Sequence, residues 1–220
     1  RNFNNRLEDH VASARMKTTP VIDFEKNESL KGLDYLDTIY HAIVNEHPIQ
    51  LKYRSFKARS ANIFIFYPYL LKEYRNRWFV YGVRGNGRIL QNLALDRIQS
   101  LEVLPQEHYI KNTFFDPNTF FDDLVGVTKN TGSVAEKVGF KVAAAEAPYI
   151  ITKPIHRSQQ VVERLADGSV ILEIEVVINH ELERVFFGYA EGIQVLYPKT
   201  LVELMGRKLK KAAEQYTHSK

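Results

Sequence analysis

Basic and aromatic side chains are concentrated in one stretch of this chain, and both types suit the binding of a phosphorylated or nucleotide-like molecule. Between Gln50 and Leu95 there are nine basic residues and one acidic residue, a local charge of +8 in a chain whose formal net charge is +4. Guanidinium groups bind phosphate oxygens in pairs, and aromatic rings stack on bases. The segregated charge therefore predicts an anionic ligand. The alternative is that exposed turns are basic for solubility.

The predicted ligand site combines basic residues at or near turns with neighbouring aromatic residues. Arg84 and Arg88 flank a Gly-Asn-Gly hairpin turn, and Arg75 and Arg77 lie on the turn before it. The full set is Tyr53, Arg54, Arg75, Arg77, Trp78, Arg84, Arg88 and Arg97.

Two of these assignments have structural alternatives. Trp78 either faces the ligand or fills the core, because one face of its strand must be buried. The pair Asp96-Arg97 is either a structural ion pair that fixes a turn, or Arg97 joins the phosphate-binding set.

A second polar group lies in the C-terminal half, where His156, Ser158 and Gln159 open a predicted strand. All three side chains form hydrogen bonds. They are either contacts from a second domain to a shared ligand, or residues that cap a connection between helix and strand.

Catalysis finds little support in the sequence. The chain has no cysteine, which excludes disulfides and thiolate chemistry, and it has neither His-Glu-x-x-His nor Gly-x-Ser-x-Gly. Asp116, Asp122 and Asp123 are explained better by capping and solvation than by a cation. We therefore expect no enzyme activity, no catalytic residue, no metal site and no cofactor.

The composition is that of a globular protein, with 45% hydrophobic and 25% charged residues among 220. No apolar run reaches the roughly 20 residues of a membrane helix, and no secretory signal opens the chain. A cytoplasmic location without membrane contact is expected. Because the chain opens on Arg1 rather than Met, it is expected to be a fragment or a processed product.

The periodicity predicts an α+β fold. After a polar segment at 1–28, residues from Ser29 to His47 follow a helical pattern, and five short strands with tight turns follow. This order suggests a small β-barrel at 29–110, preceded by its helix. A connector with a short helix, beginning at Asp116-Pro117, is predicted at 111–135. Residues 136–220 alternate as β-α-β-β-α-β, a ferredoxin-like order, and end in a helix.

Four ordered segments resemble the WYL-domain family of bacterial transcriptional regulators. The name triplet falls on Trp78-Phe79-Val80, the Pro-Tyr strand on Pro68-Tyr69-Leu70, and a Leu-Asp-Arg-Ile strand on Leu95-Asp96-Arg97-Ile98. The stretch from Pro154 to Gln159 is similar to the C-terminal extension of Bacteroidetes-type members. Phe79 stands where the triplet has tyrosine, so a role of that hydroxyl is not carried over.

The resemblance implies an Sm-like or SH3-like β-barrel that senses a ligand and is followed by a C-terminal extension. In the family an N-terminal helix-turn-helix domain normally precedes the barrel, and we expect that domain to be missing here. We expect the regulatory portion of a transcriptional regulator, which binds single-stranded nucleic acid or a small phosphorylated signal on its basic face. A homodimer that reaches DNA through the missing domain is the expected assembly. The alternatives are a constitutive nucleic-acid-binding module, or a scaffold whose basic face docks an acidic protein.

Overall fold

The structure is a computed structural model that describes residues 32–85, 87, 89–130 and 132–217. The predicted linker 1–28, the predicted helix start at Ser29 and the candidate Arg88 lie outside the described residues. A 3-10 turn at Leu33–Tyr35 leads into helix α1, Leu36–Val44.

Five antiparallel strands form the first sheet, in the order β4-β3-β2-β1-β5. The edge strands β4 and β5 do not pair with each other in the described part of the chain, so the sheet is open rather than a closed barrel. The strands are β1 Ile49–Tyr53, β2 Asn62–Tyr74, β3 Arg77–Arg84, β4 Leu90–Ala94 and β5 Ile98–Val103.

The longest strand, β2, holds the sheet together. It has 13 residues, and it pairs with β1 through Asn62–Phe66 and with β3 through Phe66–Tyr74. The register shifts between Pro68 and Leu70, where the proline lacks an N–H for the ladder. Such a bulge bends the strand, which lets one strand serve two partners.

Helix α1 covers the first core with one face. Ile39 and Ala42 on that face are buried, whereas Tyr40 and Val44 are exposed. The alternating residues of β1 meet this helix from the sheet, and fully burying an aliphatic side chain contributes about 1.5–3 kcal/mol. The buried cluster includes Ile49, Leu51, Tyr53, Phe66, Val80, Leu93 and Leu95.

The connector between the two sheets contains no helix or strand within its described residues 104–130 and 132–135. The expected helix at Asp116-Pro117 is replaced by successive turns, in which Asp116 O accepts from the N–H groups of Thr119 and Phe120. These turns bring Phe120 and Phe121 together on one ring, that of Tyr81.

The second sheet has four antiparallel strands in the order β7-β8-β6-β9. Its three helices pack on one face, because the buried residues alternate along the strands and share a cluster with the helices. The helices are α2 Ala147–Thr152, α3 His180–Phe187 and α4 Lys199–Thr217, and the strands are β6 Glu136–Val142, β7 Gln160–Arg164, β8 Val170–Val176 and β9 Ile193–Tyr197.

The fold is therefore mixed α+β with antiparallel sheets. Among the residues that the structure covers, no helix is long and apolar enough to cross a membrane.

Candidate anion-binding site

Arg97 lies at the centre of the candidate site. It ends the 3-10 turn Leu95–Arg97 between β4 and β5, and its carbonyl accepts a 3.1 Å hydrogen bond from the N–H of Arg54. Its guanidinium carbon lies 4.3 Å from the centre of the Phe56 ring. Its Nε is buried and has no hydrogen-bond partner among the described residues, so one donor of the side chain is left unsatisfied.

Asp96 pairs with Arg77 and not with its neighbour Arg97. The Arg77 Nε lies 3.3 Å from Asp96 Oδ2, while Oδ1 is buried without a hydrogen-bond partner in the described structure. In the described structure Asp96 and Arg97 therefore form no ion pair with each other, although Arg97 ends the turn in which both lie. Arg97 has no acidic partner among the described residues, and its predicted phosphate contact stays a prediction.

Tyr53 belongs to the core rather than to an open binding surface. It is 8% exposed, and its ring meets Phe64 edge-on at 6.4 Å. Burial raises the pKa of the Tyr53 hydroxyl, although the positive charge of the adjacent Arg97 opposes that rise. The Tyr53 ring therefore offers no open face to a ligand.

Arg84 stands at the opposite end of β3 from Arg77. The two are seven positions apart, which corresponds to about 23 Å along the strand at about 3.3 Å per residue. Arg84 is exposed, and its guanidinium carbon lies 4.2 Å from the centre of the Phe64 ring. Since Phe64 also contacts Tyr53, contacts between aromatic rings and guanidinium groups connect Phe56 to Arg84 through the buried ring of Tyr53. We call this series of contacting side chains the aromatic–basic row: Phe56, Arg97, Tyr53, Phe64 and Arg84.

The loop between β1 and β2 borders this row. Arg54, Lys57 and Arg59 are exposed there, and Phe56 between them is 74% exposed. We call residues 54–61 the basic loop. Neither Phe56 nor Phe64 belongs to the predicted set, although the alternation of Phe56 with basic residues is visible in the sequence.

Two predicted site residues lie elsewhere. Trp78 is half-buried and packs against the first core, on the strand face that it shares with Val80. Arg75 is exposed in the tight turn after β2 with a φ of 50°, and the charges acting on the neighbouring Tyr74 include Glu181 and Arg184. That turn therefore faces helix α3 rather than the aromatic–basic row.

The charge around the row is unpaired. Eight described residues between Gln50 and Leu95 are basic, and among them only Arg77 forms an ion pair with a described acidic residue. Of the fourteen other described basic residues, seven form such pairs. Acidic residues of the described chain therefore do not neutralise most of the positive charge on the first sheet.

The C-terminal polar group has its hydrogen-bonding capacity used within the fold. His156 Nδ1 lies 2.7 Å from Ser158 Oγ, which accepts from the N–H of Glu175 at 2.8 Å. The Gln159 amide donates to Ile150 O and its oxygen accepts from the N–H of Ile155. These three residues hold the connection between α2 and β7. In the described structure, none of them contacts a residue of the aromatic–basic row.

The three aspartates considered for a cation have other partners. Asp116 accepts from the N–H of Asn118, Asp122 pairs with Arg157 at 2.7 Å, and Asp123 pairs with Lys129 at 2.7 Å. In the part of the chain that the structure covers, no group of three or more acidic or histidine residues is arranged to hold a metal ion.

Comparison with known families identifies both halves of the chain. The WYL domain model matches residues 34–103, and the WCX domain model matches residues 135–213. No curated protein sequence matches the chain.

Two solved structures match the chain at low sequence identity and low TM-score. The proteasome accessory factor B/C (PafBC) of Arthrobacter aurescens is 16% identical with a TM-score of 0.40, and the match covers 94% of this chain and 32% of that one. A CRISPR Cas-related protein is 13% identical with a TM-score of 0.47, covering 82% of this chain and 50% of that one. The chain thus spans a third to a half of the length of these proteins, and the two family models alone assign its domains.

Proposed function

We propose, from the premise that this chain carries a WYL domain followed by a WCX domain, that it is the ligand-sensing portion of a bacterial transcriptional regulator. Its effector is a nucleotide-like anion, either single-stranded nucleic acid or a small phosphorylated signal. The effector binds along the aromatic–basic row and the basic loop. The proposal gives the chain no catalytic role and no cofactor.

One observation carries this proposal: aromatic rings contact basic side chains that have no acidic partner among the described residues. Arg97 over Phe56 and Arg84 over Phe64 both combine a guanidinium with a ring. The guanidinium suits phosphate oxygens, and the aromatic ring suits a base. An acidic protein surface would satisfy the charges, but it would leave the 74% exposed ring of Phe56 without a specific partner.

The finer architecture is part of the proposal. We infer that the first sheet is an open Sm-like form. This is supported by the strand order β4-β3-β2-β1-β5 and by strand β2, which pairs with β1 along one part and with β3 along the other. We infer a ferredoxin-like arrangement for the second sheet, supported by its strand order and its β-α-β-β-α-β sequence of elements.

The assembly is proposed from the family resemblance. The regulator is expected to act as a cytoplasmic homodimer of Bacteroidetes type. It is expected to reach DNA through a helix-turn-helix domain that is separate from the WYL and WCX domains.

The test is a titration followed by the fluorescence of Trp78, the only tryptophan. The probes are short single-stranded DNA and a panel of cyclic and linear nucleotides, at low and near-physiological salt. The variant Arg54→Glu/Arg84→Glu reverses two exposed charges, one in the basic loop and one in the row. The matched control Lys210→Glu/Lys211→Glu changes the net charge equally, on the exposed end of α4.

We expect saturable binding of one probe class, lost in the Arg54/Arg84 variant and kept in the control. If the effector is single-stranded DNA, the slope of log affinity against log salt concentration should be steeper for the wild type than for the variant. The difference should be about 0.7 for each phosphate contact that the variant removes. Nucleic-acid binding that leaves the oligomeric state unchanged would favour a constitutive module. No binding of any probe at low salt, confirmed by calorimetry, would favour an acidic protein partner and contradict the proposal.

A further inference from the structure

The segment Asp123–Lys129, which we call the strap, is hydrogen-bonded to the first sheet through a single carbonyl. Val127 O accepts from the hydroxyl of Tyr81 and, at 2.8 Å, from the amide of Asn92. Tyr81 on β3 and Asn92 on β4 are directly paired across the two strands. Tyr81 is 2% exposed, and burial raises the pKa of its hydroxyl, which keeps it protonated as a donor. Two neighbouring strands therefore hold the strap at one atom.

The other side of the strap is hydrogen-bonded to the start of helix α3. The Asn179 amide donates to Val125 O and to Thr128 O, each at 3.0 Å. The same side chain accepts from the N–H of Leu182 at 2.8 Å, as the N-cap of α3. One residue thus connects the strap to the first turn of a helix in the WCX domain.

A buried carboxylate completes this junction. Glu181 is 6% exposed, and its Oε1 accepts from the hydroxyl of Thr128 at 2.8 Å. Gly126 turns the strap with a φ of 96°, and a Cβ at that position would lie 2.6 Å from the Cγ of Glu181. The strap and α3 therefore fit closely, and a displacement of one must move the other.

We infer that the strap couples the ligand-binding strand β3 to the N-terminus of helix α3. Strand β3 carries Arg77 and Arg84 as well as Tyr81, so a ligand that shifts the strand also shifts the Tyr81 hydroxyl. The hydrogen bonds of the strap then transmit that shift to the cap of α3. Its use as a signal path rests on the proposed function, whereas the coupling itself needs no ligand.

The coupling is measured by amide hydrogen exchange on the whole chain without ligand. Tyr81→Phe removes one donor to Val127 O and keeps the ring. The matched control Tyr109→Phe removes a tyrosine hydroxyl that donates to Pro68 O, away from the strap. We expect exchange at Leu182 and Glu183 to be about fivefold faster in Tyr81→Phe, the effect of one net hydrogen bond, and unchanged in the control.

A reverse measurement starts from the other end of the strap. Asn179→Asp keeps an oxygen that caps α3 but loses the amide that donates to the strap. We expect faster exchange in the paired segments of β3 and β4, because coupling between two sites is reciprocal. Asn92→Ala repeats the first experiment with the packing around Tyr81 intact, should Tyr81→Phe fold poorly.

Faster exchange confined to the side of the junction that carries the substitution would overturn the inference, as would equal acceleration in Tyr81→Phe and the control. Because no ligand is involved, failure of the proposed function leaves this result unaffected. Ligand binding without coupling would show that the signal leaves the WYL domain by another route.

Discussion

The guanidinium of Arg97 lies over the ring of Phe56 at 4.3 Å, although Phe56 itself is 74% exposed to solvent. A large apolar ring gains little stability in such a position, since most of its surface remains in water. The contact gives Arg97 a defined orientation and leaves the outer face of the ring open. A base or another flat group can stack on that face while its phosphate meets the basic loop.

Phe56→Ala should separate binding from stability. The affinity for a nucleotide should fall by about 5-fold to 100-fold, because stacking of a base on an aromatic side chain contributes about 1–3 kcal/mol. The free energy of unfolding should change by less than about 0.5 kcal/mol, as for an ordinary surface position. Calorimetric titration and urea denaturation measure the two quantities. Tyr216→Ala, on a ring that is 85% exposed on α4, is the control and should change neither.

The ion pair between Arg77 and Asp96 should contribute a modest coupling energy. The side chains are 45% and 16% exposed, so we expect about 0.5–1 kcal/mol from a double-mutant cycle with Arg77→Gln and Asp96→Asn. The exposed pair Lys199–Glu203, at 3.7 Å, is the reference and should give about 0.3 kcal/mol or less. A coupling near zero for Arg77 and Asp96 would mean that solvent screens the pair completely.

Gly126→Ala should destabilise the protein through two effects, backbone strain and a clash with Glu181. Gly132 has a similar φ of 81° but open space around it, so Gly132→Ala measures the strain alone. We expect about 1 kcal/mol for Gly132→Ala and about 2–4 kcal/mol for Gly126→Ala. Urea denaturation of both variants gives the difference. Equal losses would show that the strap moves away from α3 without cost.

His156 should make stability depend on pH. Its burial and the nearby positive charge of Arg157 lower the pKa of the imidazole below the ordinary value of about 6.5. The unfolded chain therefore takes up this proton first as the pH falls, so the free energy of unfolding decreases below about pH 6.5. The loss is complete once the pH is below the pKa of the folded state.

His156→Asn should remove that part of the pH dependence. Urea denaturation at pH 7, 6 and 5 should show a flatter profile for the variant than for the wild type. The matched control is His108→Asn, on an exposed connector residue. A wild-type profile as flat as that of His156→Asn would contradict the assignment.

The elements of the chain were largely predictable, because their patterns are local. The alternation in Ile49–Tyr53 and the helical spacing before β9 both follow from side-chain periodicity. The connector was not, since Asp116-Pro117 carries a helix-start signal. Adjacent residues of a helix point about 100° apart, whereas Phe120 and Phe121 both pack on Tyr81. That long-range contact favours turns over the helix.

The site was predictable in its charge but not in its geometry. The predicted set groups Arg77, Arg84 and Arg97 in one site. In the structure, the length of β3 separates Arg77 from Arg84. The ion pair of Arg77 with Asp96 and the position of Phe64 between Tyr53 and Arg84 depend on how the sheet curves. Sequence periodicity carries no information on that curvature.

Strand β2 is the central strand that joins the two parts of the first sheet. Because β1 pairs with one part of this strand and β3 with the remainder, the strand pairs β1–β5 and β3–β4 are joined to each other through β2 alone within the described structure. Detachment of β2 would leave two two-stranded ribbons, which are marginally stable by themselves, so the WYL domain should melt as one cooperative unit. Under the proposed function, the ligand would then act by small displacements of an intact sheet rather than by local unfolding.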